Sequence, residues 1–252
     1  MQVSKDHPRY HSLVTREMMS EMVKEGIVAP TGLIAHGRGE AFDYLLGEVT
    51  SESARCAERA AVALMLEARN PVISVNGNTA ALAGKEVVAL SKLVKAKIEV
   101  NLFHRSPERM EKVVGHMESL GAKDVLGRHS DAIIPGIASD RAKCTKAGIF
   151  SADVVLVPLE DGDRAGALVQ LGKKVIAIDL NPLSRTARVA QITIVDEVAR
   201  AIANMIAMWP ELSRDEAIRT KIISDFNNRA NLTRSLELMC SRLTELADEG
   251  KP

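Results

Sequence analysis

Residues 70–79 read NPVISVNGNT. The run Val72–Val75 is short and β-branched, bounded by Asn-Pro before it and Asn-Gly after it, which marks a buried strand. The period then changes. Over Ala80–Ala96 the residues Val87, Val88, Leu90, Leu93 and Val94 recur near 3.6, as in an amphipathic helix. A strand that passes through a glycine-containing turn into a helix is the first half of a βαβ unit.

The same alternation continues outward. Ile98–Phe103, Val154–Val157, Val175–Ile178 and Ile192–Val195 read as further buried strands, with Asp124–Leu126 a weaker sixth. Helical patterns lie between them at Pro107–Leu120, Arg164–Leu171 and Glu197–Met208; the first opens on Ser-Pro-Glu, an N-cap followed by proline at the first helical position. The expected fold is α/β and Rossmann-like, a mostly parallel sheet with helices on both faces. Residues 1–70 add an N-terminal helical elaboration (helices near Ser12–Glu25 and Ser51–Ala68), residues 71–208 form the nucleotide-binding sheet core, and residues 209–252 add C-terminal helices, two of them within 213–248. Gly127–Ile149 is irregular and too long for a plain connector, which suggests a functional loop or lid. With no internal repeat and no low-complexity linker, one domain over 1–252 is expected.

Lysine plus arginine number 33 and aspartate plus glutamate 33, so the formal net charge is zero. That balance argues against a nucleic-acid binder, yet leaves room for a small anionic ligand held by a local cation cluster. Hydrophobic residues at 46% and charged residues at 26% exclude a disordered chain, and aromatics at 3% leave an aliphatic core. The polar start MQVSKDHPRYHS has no apolar segment typical of a signal peptide, and no run approaches ~18 apolar residues, so no membrane association is expected. Three scattered cysteines, Cys56, Cys144 and Cys240, suit a reducing cytoplasm. The six histidines show no zinc spacing, and there is no GxSxG of a serine hydrolase.

In an open α/β sheet, ligands bind beyond the carboxyl ends of the strands. After Val75 come Asn76, Gly77, Asn78 and Thr79, a turn into a helix N-terminus suited to an anion, though neither GxGxxG nor a Walker loop. After Phe103 come His104 and Arg105, a cation facing the same crevice. After Val157 come Glu160, Asp161, Asp163 and Arg164 around one glycine; such carboxylates suit Mg²⁺ or an ammonium group, or simply cap a helix. After Ile178 comes Asp179, placed to take ribose hydroxyls, with Arg185 and Arg188 in the same loop. On the first helix, Val14, Met18 and Met22 form a stripe, and Arg16 lies about 160° from its centre. Arg38 stands between Gly37 and Gly39, and glycines permit close approach of backbone to a ligand.

As a set these segments become specific. HPRYHSL at 7–13, Arg16, GLIAHGRGEAFDYLLGE at 32–48, NPVISVNGN at 70–78, EVNLF at 99–103, ADVVLVPLEDGDR at 152–164, VIAIDLNPLSRTAR at 175–188 and ITIVD at 192–196 occur in that order. Together they resemble the archaeal 4-phosphopantoate–β-alanine ligases, or phosphopantothenate synthetases, of coenzyme A biosynthesis. The resemblance implies a homodimeric, ATP-dependent amide ligase that forms 4′-phosphopantothenate and releases AMP and diphosphate. It implies ATP contacts at Arg16, Arg38, Asp179, Leu180, Asn181, Arg185 and Thr186, with Asp196 and Glu197 as further contacts. On this reading Arg38, Arg105, Glu160, Asp161, Asp163 and Arg164 carry the chemistry. Glu160 and Asp163 are expected to hold Mg²⁺, or with Asp161 the β-alanine ammonium, while Asn76, Gly77, Asn78 and His104 bind 4-phosphopantoate.

Two other classes fit parts of the pattern. An NAD(P)-binding Rossmann oxidoreductase would use Glu99, about 20 residues after Gly77, as its ribose-binding acid, but lacks GxGxxG. A non-catalytic nucleotide-binding module would bind ATP without turnover.

Overall fold

The computed structural model describes residues 4–7, 9–248 and 250; Pro8, within the HPRYHSL block, lies outside them. Three helices come first: α1 (Tyr10–Lys24), α2 (Pro30–Leu46) and α3 (Glu52–Glu67). Then β1 (Pro71–Val75), α4 (Gly77–Leu93), β2 (Lys97–Val100) and α5 (Pro107–Ser119) form the first βαβ half. After the short strands β3 (Ala132–Ile133) and β4 (Lys143–Cys144) come β5 (Val154–Pro158), α6 (Gly162–Gln170), β6 (Lys174–Ile178), α7 (Arg185–Val189), β7 (Ile192–Ile194) and α8 (Val198–Leu212). The helices α9 (Glu216–Asp225) and α10 (Asn228–Asp248) follow.

The main sheet has the order β2-β1-β5-β6-β7, and every pairing is parallel. Successive strand residues point to opposite faces. Ile73, Val75, Leu156, Ile176 and Ile178 join the larger core beneath α3, α4 and α8. Val72, Val155, Val157, Val175 and Ala177 join a smaller core with Leu168 of α6 and Ile149. Both faces are covered, which explains why these strands read as continuous apolar runs rather than as alternation. Burying each Val, Ile or Leu contributes about 1.5–3 kcal/mol.

The structure corrects the sequence reading at four places. The N-terminal region holds a third helix besides the two expected, α2, with Gly37-Arg38-Gly39 inside it. The stripe Val14–Met18–Met22 packs only in part: Met18 and Met22 lie against the core beside the fully buried Met19, whereas Val14 is exposed. The second strand stops at Val100, and the suggested strand at Asp124–Leu126 is one parallel bridge, Glu99 to Leu126. The segment Gly127–Ile149 is not featureless: β3 and β4 pair antiparallel within it, and Glu99 accepts hydrogen bonds from Thr145 N, Thr145 Oγ1 and Ile149 N.

Glu58 of α3 is buried against α8. Asn204 Nδ2 donates to one of its oxygens at 3.1 Å, and the other has no hydrogen-bond partner among the described residues. Burial, with the negative charge of Asp196 nearby, pushes its pKa up to about 8 against the hydrogen bond from Asn204. A carboxyl whose folded pKa is raised gives its full stability below the ordinary value of 4.5 and loses it as pH climbs towards 8. The Glu58→Gln variant should therefore melt with wild type near pH 4.5 and several degrees higher above pH 8. Thermal melts across that range check the prediction, and a constant difference at every pH would contradict it.

Candidate functional site

The chain leaves β1 for β2 on one side and, after β5, proceeds to β6 on the other. The boundary between β1 and β5 is thus the switch point of the sheet, where open α/β sheets bind ligands. Asn76 closes the floor of this crevice. Its Oδ1 accepts from Thr79 N at 3.0 Å, capping α4, and its Nδ2 donates to Pro158 O and Leu159 O at 3.0 and 3.1 Å. Leu159 is held at φ 53°, a left-handed conformation uncommon outside glycine.

Helix α2 forms the roof. At its start Asn78 Nδ2 donates to Gly32 O at 2.8 Å. A Cβ on residue 32 would strike Asn78 Oδ1, so only glycine allows this approach. Near the other end Arg200 of α8 donates to Asp43 Oδ1 at 2.6 Å, to Asp196 Oδ1 at 2.7 Å and to Glu48 O at 3.2 Å. Burial works against the Arg200 charge, but the hydrogen bonds it donates to Asp43 and Asp196 hold its pKa above the ordinary value. Below the first half of α2 opens a cavity of about 490 Å³, lined among others by Asn76, Gly77, Asn78, His104 and Asp161. Four sequence-derived substrate residues therefore meet in one place. Arg105 does not join them: its Nη2 donates to Gly127 O at 2.6 Å, and it lines a different cavity with Arg128 and Lys143.

Arg38 lies on α2 towards the loop after β6. Burial raises the Asp179 carboxyl, while hydrogen bonds from Ser184 Oγ and Asn181 N and the charge of Arg38 oppose the shift. Leu180 is buried beside Leu46 and Leu232 and anchors that loop. Thr186 Oγ1 donates to Glu160 O at 2.8 Å, and Arg185 is exposed beside Asp163. Arg38, Asp179, Leu180, Asn181, Arg185 and Thr186 thus belong to one side of α2. Arg16 belongs to another. It pairs with Glu40 at 3.1 Å and donates to Tyr44, and positions 38 and 40 are about 200° apart around a helix. Glu197 caps α8 by accepting from Arg200 N and lines a second cavity, of about 570 Å³, with His36 and Asp43. Asp196 is buried and bonded to Thr50 and Arg200.

Glu160 and Arg164 have an environment that a local reading does not show. Arg164 is wholly buried, and Glu160 sits between it and Arg141, one carboxylate oxygen paired with each. Arg164 also donates to Ser74 at 3.1 Å. Burial lowers Arg141 to about 9 and Arg164 to about 10. Asp161 caps α6 by accepting from Arg164 N at 2.8 Å. The expected Mg²⁺ pair is split: both oxygens of Glu160 are occupied by arginines, whereas Asp163 is exposed on Arg185 at 2.6 Å. Among the described residues no three metal-ligating side chains gather in one place. The residues present do not fit a protein-held Mg²⁺ at Glu160 and Asp163. Glu99, the acid an oxidoreductase would offer to ribose, is buried under its three donors.

Sequence reasoning missed Arg109, Arg141 and Arg200. Arg109 carried a signal: a cation in the first turn of α5 opposes the helix dipole. Arg141 lies in a segment with no periodic pattern to place it.

The parallel sheet carries a crevice at its switch point, with arginines at its carboxyl edge, where open α/β sheets bind ligands. The profile described as phosphopantothenate/pantothenate synthetase matches residues 53–242, and the chain belongs to that family. It is 53% identical over 246 residues to the 4-phosphopantoate–β-alanine ligase of Methanospirillum hungatei, covering 98% of this chain and 100% of that one. It is 50% identical over 252 residues to the protein of the same name from Thermococcus kodakarensis, covering 98% and 96%. The corresponding figures for Methanosarcina mazei are 49% over 245 residues, covering 97% and 96%.

Removing Glu160 leaves two buried arginines without their shared anion. Glu160→Ala should lower the unfolding free energy by about 3–5 kcal/mol. Asp163→Ala, at an exposed pair, should cost under about 1 kcal/mol. Urea denaturation of both variants checks the contrast, and equal losses would contradict the geometry.

Proposed function

We propose that this chain is an ATP-dependent ligase that condenses 4-phosphopantoate with β-alanine to 4′-phosphopantothenate, releasing AMP and diphosphate, as a step of coenzyme A biosynthesis. The observation that carries this reading is near-full-length similarity to proteins of that name. The oxidoreductase alternative loses its acid, because Glu99 is enclosed by Thr145 and Ile149. The binding-module alternative does not account for similarity to named ligases.

A carboxylate is a poor acyl donor and must first be activated. A carboxylate oxygen of 4-phosphopantoate attacks the α-phosphorus of ATP, the bond to the β-phosphate oxygen breaks, and diphosphate leaves. The β-alanine amine then attacks the acyl carbon, loses a proton to solvent, and AMP departs with the bonding pair. Such transfers depend on positioning and charge neutralisation rather than on a protein nucleophile. Arg38 neutralises phosphate charge as it develops, while Asp179, Leu180 and Asn181 shape the nucleotide side of the crevice. Asp161, which lines the cavity, faces the incoming ammonium group. Mg²⁺ would be held by the ATP phosphates rather than by Glu160 and Asp163, and would offset phosphate charge there. The chain acts as one domain in a cytoplasmic homodimer. Free Cys56, Cys144 and Cys240 support the reducing compartment, and Val14, Ile34 and Tyr44, exposed on α1 and α2, support pairing. No helix among the described residues is long and apolar enough to cross a membrane.

Incubation with ATP, Mg²⁺, 4-phosphopantoate and β-alanine should yield AMP only when both co-substrates are present. ADP would move activation to an acyl phosphate, and no turnover would reject the ligase. Arg38→Ala should lower kcat/KM at least ~10²-fold, and a change under about threefold would remove that role. Asp163→Asn should leave the half-saturating Mg²⁺ concentration within about twofold of wild type, as expected of a metal carried mainly by nucleotide phosphates.

A further inference from the structure

Behind the cavity lined by Glu197 and Arg200 lies a sealed polar cluster that joins α3 to the start of α8. Its members are Thr50, Glu58, Asp196, Arg200 and Asn204, and both acids are buried, Glu58 wholly. The donor hydrogens in it can be counted. Thr50 Oγ1 has one, which it gives to Asp196 Oδ2 at 2.7 Å. Asn204 Nδ2 has two, given to Thr50 Oγ1 at 2.9 Å and Glu58 Oε1 at 3.1 Å. Arg200 Nε and Glu197 N donate to Asp196 Oδ1 at 2.7 and 2.8 Å. Nothing is left for Glu58 Oε2, which is closed off from solvent and meets no donor among the described residues.

An ionised Glu58 would therefore bury a bare carboxylate oxygen beside a second carboxylate, Asp196. Two neighbouring acids in a dry site keep one proton between them. The donors reach Asp196 from three directions, so Asp196 is the ionised member and the proton belongs on Glu58 Oε2, aimed at Asp196. Burial, then the charge of Asp196, raise the Glu58 pKa to about 8. Exposed Arg55 of α3 favours the ionised form without offsetting burial. The other charges between α3 and its neighbours are engaged elsewhere: Arg59 pairs with Glu211 of α8 and Glu67 with Arg219 of α9, while α10 brings the neutral Ser235 to Ser53.

We propose that Glu58 is a positioning residue for the nucleotide: the proton it shares with Asp196 holds Asp196 in place, and Asp196 in turn sets the Glu197 end of α8 and the Arg200 tie to Asp43 of α2. This assignment rests on the ligase reading, in which Asp196 and Glu197 stand at the ATP site, and extends it to a residue that no substrate can reach. Loss of the proton puts two negative charges side by side, and Asp196 and Arg200 must shift to separate them. Glu197, Asp43 and Arg200 line one cavity, so that shift reaches the surface a ligand would meet. By linkage, a ligand that prefers the protonated arrangement must raise the proton affinity of Glu58.

The test is calorimetric titration of the full chain with Mg²⁺ and ATP, without co-substrates, from about pH 6 to about pH 9.5 in wild type, Glu58→Gln and Glu58→Met. Glutamine is neutral at every pH and offers Asp196 an N–H in place of the acid O–H, whereas methionine offers nothing. Wild-type affinity should hold at neutral pH and fall at least about fivefold by pH 9.5, and Glu58→Gln should stay within about twofold of its own neutral value throughout. At about pH 8.5, ATP binding to wild type should take up protons, seen as a heat that varies with the ionisation enthalpy of the buffer, and this uptake should vanish in Glu58→Gln. Glu58→Met should bind ATP at least about fivefold more weakly at neutral pH, with the loss in turnover falling on the KM for ATP rather than on kcat. If Glu58→Met does not fold, the pH profile and proton uptake of Glu58→Gln decide alone. A wild-type affinity that is flat with pH, or the same pH dependence in Glu58→Gln, overturns the positioning role while leaving AMP formation and the ligase reading intact. No ATP binding at any pH in wild type overturns both.

Discussion

The site depends on one buried carboxylate, Glu160, shared between Arg141 and Arg164. Such a triad is weak evidence for stability, because removing three charges from water offsets much of their attraction. What it provides here is position. Glu160 follows β5, Arg164 lies on α6, and Arg141 comes from the segment between β3 and β4. The ion cluster therefore fixes the loop after β5 and docks the connecting segment onto the carboxyl edge of the sheet. Glu99 reinforces the docking from below by collecting donors from Thr145 and Ile149.

Around this anchor the crevice is assembled by short polar ties. Asn76 joins the ends of β1 and β5 while capping α4. Asn78 and Arg200 clamp the two ends of α2. Much of the polar side-chain chemistry at the strand ends is thus spent on holding backbone in place. Among the described residues, groups left open to a ligand include exposed Arg38 and the buried Nε of Arg109 and of Arg141. A net-neutral chain can hold an anionic substrate in this way, because the crevice needs only a few local cations such as Arg38, Arg109 and Arg141.

The helix α2 shows why one face of an element can serve a site and the next face another purpose. Arg38 and Glu40 are two residues apart and point in nearly opposite directions. Arg38 lies towards the loop after β6, whereas Glu40 ties α2 to Arg16 of α1. The nucleotide contacts implied by resemblance therefore divide into a group at the Asp179 loop and a group with Arg16 and Glu197 beyond α2.

Strand and helix order was legible in the chain because buried parallel strands and amphipathic helices have local periods of their own, as at Val72–Val75 and Val87–Val94. The location of the crevice followed from strand ends alone, which placed Asn76, Asp161 and Asp179 correctly at the carboxyl edge. Helix α2 was not legible, because Gly37 and Gly39 carry weak helix propensity and only packing beneath the Arg200 and Asn78 ties makes that segment helical. Burial was equally invisible: Glu160 and Asp163 look alike in sequence, yet one is enclosed by two arginines and the other is exposed. Local pattern determines which elements form and in what order. Only the tertiary structure decides which charges meet in the interior, because Arg141, Glu160 and Arg164 reach one another through folding and not through sequence spacing.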